Sequence, residues 1–229
     1  MVVRPLALAL IALVSSSAVA AAQRAFPASG FDRVSASGSE DIVITTGKAA
    51  SVVATGPQER LDRLRIRVEN GKLMIDHKPG SSWSWGRNDQ VRIAITMPAL
   101  HGVHASGSGN LSADKGSGPA FEGSLSGSGD LSIARIDSPS VTLRTSGSGD
   151  IAAAGQCRDA KVSISGSGNM TLPNLACTNI NIAISGSGDV AARATGAADI
   201  RISGSGDVVI AGGARCNSRT SGSGDVTCG

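Results

Sequence analysis

The chain has 229 residues, a formal charge of +3, no tyrosine, three phenylalanines and two tryptophans. That length suits one domain behind a leader. So small a charge with so few aromatics excludes a nucleic-acid surface built on basic and stacking side chains, and the 30 glycines point to a core of stacked small aliphatics rather than large rings.

The first segment reads as a secretory signal peptide. Arg4 supplies the positive end, Leu6 to Val14 form a short apolar run, and small residues from Ser15 to Ala22 offer cleavage after Ala20 or Ala22. The run is too short to span a bilayer, which takes roughly 20 residues. The expectation is a leader over 1–22 and one β domain over 23–229, exported to the periplasm, the cell surface or the medium. No membrane span is expected after cleavage.

The front third, to about residue 100, is less regular. Ser37-Gly38-Ser39-Glu40-Asp41 before Ile42 is a degraded copy of a motif that recurs later. Ile42, Ile44, Val52, Val68, Leu73, Ile75, Val91, Ile93 and Ile95 mark strands by alternation. Gln58 to Arg67 reads as a short helical turn. Residues 78–90 read as an excursion, carrying both indoles, Trp83 and Trp85.

From residue 101 to 229 the chain is periodic. Ser-Gly-Ser-Gly followed by Asp or Asn starts at Ser106, Ser126, Ser146, Ser165, Ser185, Ser203 and Ser221, at spacings of 20, 20, 19, 20, 18 and 18 residues. A fixed period near 20 is the mark of a solenoid. After each motif an apolar residue opens an alternating strand: Leu111, Leu131, Ile151, Met170, Val190, Val208 and Val226. A second alternating strand precedes the motif, as in Val162 and Ile164 or Ile182 and Ile184. The fold class is therefore all-β: a single-stranded parallel β-helix with coils of about 18–20 residues. Right-handedness follows from the rule for parallel crossovers. Glycine suits the motif because the chain turns sharply against neighbouring coils and needs φ > 0 or close backbone approach.

Four cysteines follow the leader. Cys157 and Cys177 lie one coil apart, and coils stacked about 4.8 Å apart bring their Cα atoms within disulfide range. Cys216 and Cys228 then close the final coil. No Cys-x-x-Cys pair supports zinc instead.

Phe31 to Thr46, Asn70 to Ile75, Val91 to Leu100 and the repeated SGSGD turns together resemble the head GIN domain family of auto-transporter adhesins. The resemblance covers nearly all of the chain after the leader. It implies a right-handed β-helix in an exported bacterial envelope protein, and no reaction, cofactor or catalytic residue. No barrel segment follows the last motif, so self-export is not expected.

The candidate sites are few. The column Asn110, Asp130, Asp150, Asn169, Asp189, Asp207 and Asp225 runs up one edge. Calcium could relieve the repulsion of stacked carboxylates, but the known calcium β-helix repeat has nine residues and different spacing. Bonding of these side chains to their own turn amides is the favoured reading. Trp83 and Trp85 are the candidates for ligand contact. His77, His101 and His104 read as surface residues rather than a metal site. Arg144, Arg201 and Arg219 share one coil position. A solvated face is the default for them, an acidic-ligand groove the alternative, with Ser124, Ser163 and Ala183 interrupting the series. No nucleotide loop, metalloprotease helix or nucleophile elbow is present, and no catalytic residue, cofactor or metal is expected. The functional expectation is a non-enzymatic binding or structural module for envelope polysaccharide or protein. The alternative is a polysaccharide lyase or hydrolase on a β-helix, which rests on fold analogy. The sequence does not fix an oligomeric state.

Overall fold

The computed structural model describes residues 21–79 and 90–229. Among them, nineteen strands join into one continuous hydrogen-bonded sheet that winds into a β-solenoid of about six turns. The single helix of the described residues is six residues long.

The regular coils show why the motif recurs. They comprise β8 (Gly102–Gly107), β9 (Leu111–Ala113), β10 (Gly116–Ser117), β11 (Ala120–Gly127), β12 (Leu131–Asp137) and β13 (Ser140–Gly147). Then follow β14 (Ile151–Gly166), β15 (Met170–Gly186), β16 (Val190–Gly204), β17 (Val208–Ala211), β18 (Arg215–Gly222) and β19 (Val226–Cys228). Each coil runs into the first Ser-Gly of its motif, turns through Ser-Gly-Asp, and resumes at the apolar residue beyond. Every pairing from β8 onward is parallel. Ser126 stacks on Ser146, Ser165, Ser185, Ser203 and Ser221 in successive coils. Leu131, Ile151, Met170, Val190, Val208 and Val226 stack likewise. Alternation sends every second side chain inward, so Leu143, Val162, Ile182 and Ile200 form a buried column. Fully burying each such aliphatic is worth about 1.5–3 kcal/mol.

The stretch between coils, expected from sequence to be only variable connection, carries a third short ladder. Ile136–Asp137 pairs with Gly116–Ser117 on one side and Gly155–Gln156 on the other, and the latter pairs with Leu175–Ala176. Ile136, Leu175 and Ala194 point inward here. The changes in repeat length fall in this ladder, where the register shifts. The two long ladders on either side of the motif stay in phase.

The front third is an end cap. Its elements are β1 (Ala22–Phe26), β2 (Arg33–Gly38), β3 (Asp41–Thr46), β4 (Ser51–Gly56), α1 (Gln58–Arg63), β5 (Leu64–Glu69), β6 (Lys72–His77) and β7 (Arg92–Met97). β2 lies between β6 and β8, and β3 between β7 and β9. The chain therefore lays its second level first, drops to the terminal level, and crosses back to start the repeats on top of β2 and β3. β4 and β5 then pair antiparallel with β7 and β6, and β1 with β4, which ends parallel stacking. β5 and β6 join through Asn70 and Gly71, both at positive φ, as a tight hairpin requires. The helix stops at Arg63, and Leu64 to Arg67, expected within the helical turn, belong to β5. α1 places Leu61 in the core. Arg65 and Arg67 both pair with Asp76, and Arg24 with Asp62, so charged side chains cover the cap's strands and discourage edge pairing.

Two disulfides reinforce the stack. Cys157 and Cys177 face each other in register between β14 and β15, with Cα atoms 4.5 Å apart. Cys216 and Cys228 join β18 to β19 across the interior of the final coil, with Cα atoms 6.6 Å apart. In that coil the inward column changes from Ile200 and Ile202 to Ser218 and Thr220, so the apolar interior ends in polar side chains.

Candidate functional site

Two surfaces carry the candidate residues: the motif corner and the flank formed by the strands that precede it.

At the corner the Asp/Asn column is a hydrogen-bonded ladder between coils. The Asn110 Oδ1 accepts the Asp130 amide at 3.0 Å, and the Asp130 Oδ1 accepts the Asp150 amide at 3.1 Å. The pattern continues through Asn169, Asp189, Asp207 and Asp225 at 2.7–3.0 Å. At the lower end Asp41 receives the Asn110 amide at 3.2 Å. These side chains, expected from sequence to bond their own turns, bond the next coil instead, because each turn's own amides are already engaged. The Ser148 and Gly149 amides donate to the Gly127 carbonyl of the preceding coil, and the Asp150 amide donates to Asp130 Oδ1. Each side-chain oxygen therefore satisfies the one amide left at the following corner. A single oxygen suffices, which explains why Asn alternates with Asp. Among the described residues no group of three His, Cys, Asp or Glu side chains could hold a metal ion. Asp150→Asn should leave the urea midpoint unchanged, and Asp150→Ala should cost about 1 kcal/mol or less, the worth of one solvent-accessible hydrogen bond. Equal losses in the two variants would show that the charge, not the acceptor, matters.

The flank holds an open groove of about 550 Å³ along the coil axis. Its walls are the outward residues at two positions of successive coils: serines such as Ser126, Ser146, Ser165 and Ser185, and the column containing His104, Arg144 and Arg201. No carboxylate lines it. A smaller hollow shares His104 and Ser124 and extends the groove toward Arg33, Lys72 and the carboxylate of Glu122. Arg219 continues the column in register with Arg201.

The histidines do not converge. His77 Nε2 lies 2.9 Å from the buried Glu40, and His101 Nδ1 lies 3.1 Å from Asp32. Only His104 is an exposed surface residue on the groove. Glu40, which sequence reading took for motif decay, occupies the place of the motif's second glycine and reaches toward His77. The carboxyls held below their usual range lie elsewhere. Hydrogen bonds from Arg24, Arg65 and Asn179 hold down Asp62, Asp76 and Asp159 respectively. A general acid needs the opposite shift. Trp83 and Trp85 lie outside the described residues.

The described residues thus define a β-solenoid with an open groove on one flank and its regular column of acids committed to backbone amides. Residues 30–214 match the family model described as "putative auto-transporter adhesin, head GIN domain", and the chain belongs to that family. Solved structures share the fold. A "putative adhesin" from Bacteroides fragilis superposes with a TM-score of 0.86 at 20% identity, covering 92% of this chain and 98% of that one. A "putative lipid binding protein" from Parabacteroides distasonis gives 0.70 at 22% identity, covering 92% and 97%. A "putative adhesin" from Parabacteroides merdae gives 0.67 at 17% identity, covering 92% and 97%. No curated protein matches the chain.

Proposed function

We propose that the protein is an exported, non-enzymatic binding module of the bacterial envelope, which holds a polysaccharide or protein against the side of its solenoid. The observation that carries this reading is the pairing of a long open groove with an acid column spent on structure. Acid–base work relies on a few carboxyls placed in distinctive environments. Here each column acid repeats the same bond from coil to coil. Two disulfides favour an oxidising compartment, in line with the leader over 1–22. No helix among the described residues is long and apolar enough to cross a membrane. Membership of an adhesin family supports the same reading.

Trp83 and Trp85, the chain's only indoles, are proposed as aromatic anchors for the contact, since indoles are strong anchoring side chains. The test is retention of envelope extract on the immobilised mature chain, compared with Trp83→Ala/Trp85→Ala. Retention by the parent and its loss in the double variant is the expected result. Retention untouched by the double variant would remove the two anchors and leave the module. No retention of any envelope component by the parent would overturn the module itself.

A further inference from the structure

The arginines of this flank share one outward column and have no carboxylate partner among the described residues. Arg144, Arg201 and Arg219 are exposed, point outward from one column, and make no ion pair or side-chain hydrogen bond with any described residue. Elsewhere Arg24, Arg65, Arg67 and Arg158 each hold a carboxylate. The contrast is sharpest at Arg201 and Arg219. They sit directly opposite each other on adjacent parallel strands, where like charges repel. A carboxylate is close in sequence: Asp199 lies two residues before Arg201 on the same face. Its Oδ1 accepts the Asn217 side-chain amide at 3.1 Å, and it forms no ion pair with either arginine. The guanidinium groups are left open to an anion from outside.

The shape of the track narrows the class of anion. With the hollow at Arg33 and Lys72, which Glu122 also lines, the track spans nine levels of the sheet, about 38 Å at ~4.8 Å per level, with cations at several of them. A small anion cannot use that length; a linear polyanion can. Beside the cations the walls combine serine hydroxyls with apolar surface from Ala183, Ile164 and Ile184, which suits the hydroxyls and the C–H faces of a sugar polymer. Single-stranded nucleic acid is held by successive aromatic platforms beside the charge, and the groove's lining holds no Phe, Tyr or Trp and only one imidazole, His104. We infer that this flank binds an extended acidic polysaccharide, with Arg144, Arg201 and Arg219 engaging its carboxylate or sulfate groups through forked hydrogen bonds.

This inference rests on the binding-module reading and is tested separately from it. The mature chain is titrated against polygalacturonate, neutral dextran and oligo-dT at several salt concentrations. Arg201→Ser/Arg219→Ser is compared with Arg92→Ser/Arg193→Ser, which removes the same charge from exposed, unpaired positions outside the groove. Circular dichroism and melting confirm that both variants fold. The expected result is salt-sensitive binding of polygalacturonate, none of dextran, and affinity about tenfold weaker in the groove pair only, a loss of ~1.4 kcal/mol. Equal weakening in both pairs would reduce the effect to net charge and overturn the site. Tighter binding of oligo-dT would overturn the ligand class. Absence of polygalacturonate binding while envelope extract is still retained would sink this inference and leave the binding module standing.

Discussion

Gly186→Val is expected to abolish the folded central coils, at a cost above about 4 kcal/mol, in the range reserved for severe core or backbone damage. Two independent obstacles add. Gly186 has φ +134, a conformation that a β-branched residue resists by one to three kcal/mol, give or take, on strain alone. A Cβ there would also stand 2.1 Å from the carbonyl oxygen of Gly166 in the coil beneath. That neighbour is backbone in a parallel ladder and cannot step aside without breaking its own bonds. Gly166→Val meets the same situation against Gly147. The second glycine of the motif is excluded by the stack alone: Gly188 lacks the positive φ, yet its Cβ would lie 2.1 Å from the Gly168 oxygen. Gly213→Ala is the control. It has φ +75 with nothing within 4 Å, so only the conformational cost of about 1 kcal/mol applies. Urea unfolding of the three variants checks this. A Gly186→Val midpoint close to that of Gly213→Ala would mean that the coils are not stacked through this corner.

Removing the Cys157–Cys177 bridge by double alanine substitution is expected to cost about 3 kcal/mol, the loop-closure term for a 20-residue separation. Cys177 is buried at 3% exposure, so its loss is felt in the central core and should lower the global midpoint. The Cys216–Cys228 bridge closes a similar loop, 12 residues apart, worth nearly as much in the same estimate. Its effect should be local, because it ties only the two strands of the final coil. Amide exchange should then rise in residues 215–228 while the central coils stay protected. Unfolding of the whole chain at one lower midpoint in both variants would contradict that distinction.

The repeats were legible because one motif does two jobs at every level. Its glycines mark the corner, and the apolar residue after Asp or Asn marks the first inward position, so aligning Ser126, Ser146 and Ser165 aligns both long ladders. The third ladder was hidden because only one or two residues per coil, such as Ile136 and Leu175, point inward there, and the spacing to them varies. The direction of the Asp/Asn bonds was also out of reach. A side chain that can bond its own turn can equally bond the next, and the turn's own amides, such as those of Ser148 and Gly149 already given to the preceding coil, decide between them. Glu40 looked like decay of the motif. In the fold its side chain meets His77, whereas Gly109, one level up, needs to be glycine because its Cβ would strike the Glu40 backbone. The layer order of the cap is non-local, since residues 102–113 stack on 33–46 across the whole intervening segment, and periodicity within a window carries no trace of it. The groove arginines shared a visible coil position, but their lack of partners depends on Asp199 turning to Asn217, which spacing does not reveal.

The proposed binding module retains a polymer and does not cut it. The most direct measurement is product analysis of an acidic polysaccharide such as polygalacturonate after prolonged incubation with the mature chain, by reducing-end assay and ultraviolet absorbance of unsaturated uronates. The expected result is polymer bound to the protein and recovered at its original length, with no new ends. New ends that disappear on a single Asp→Asn substitution would contradict it and make the chain a polysaccharide-cleaving enzyme on a β-helix scaffold.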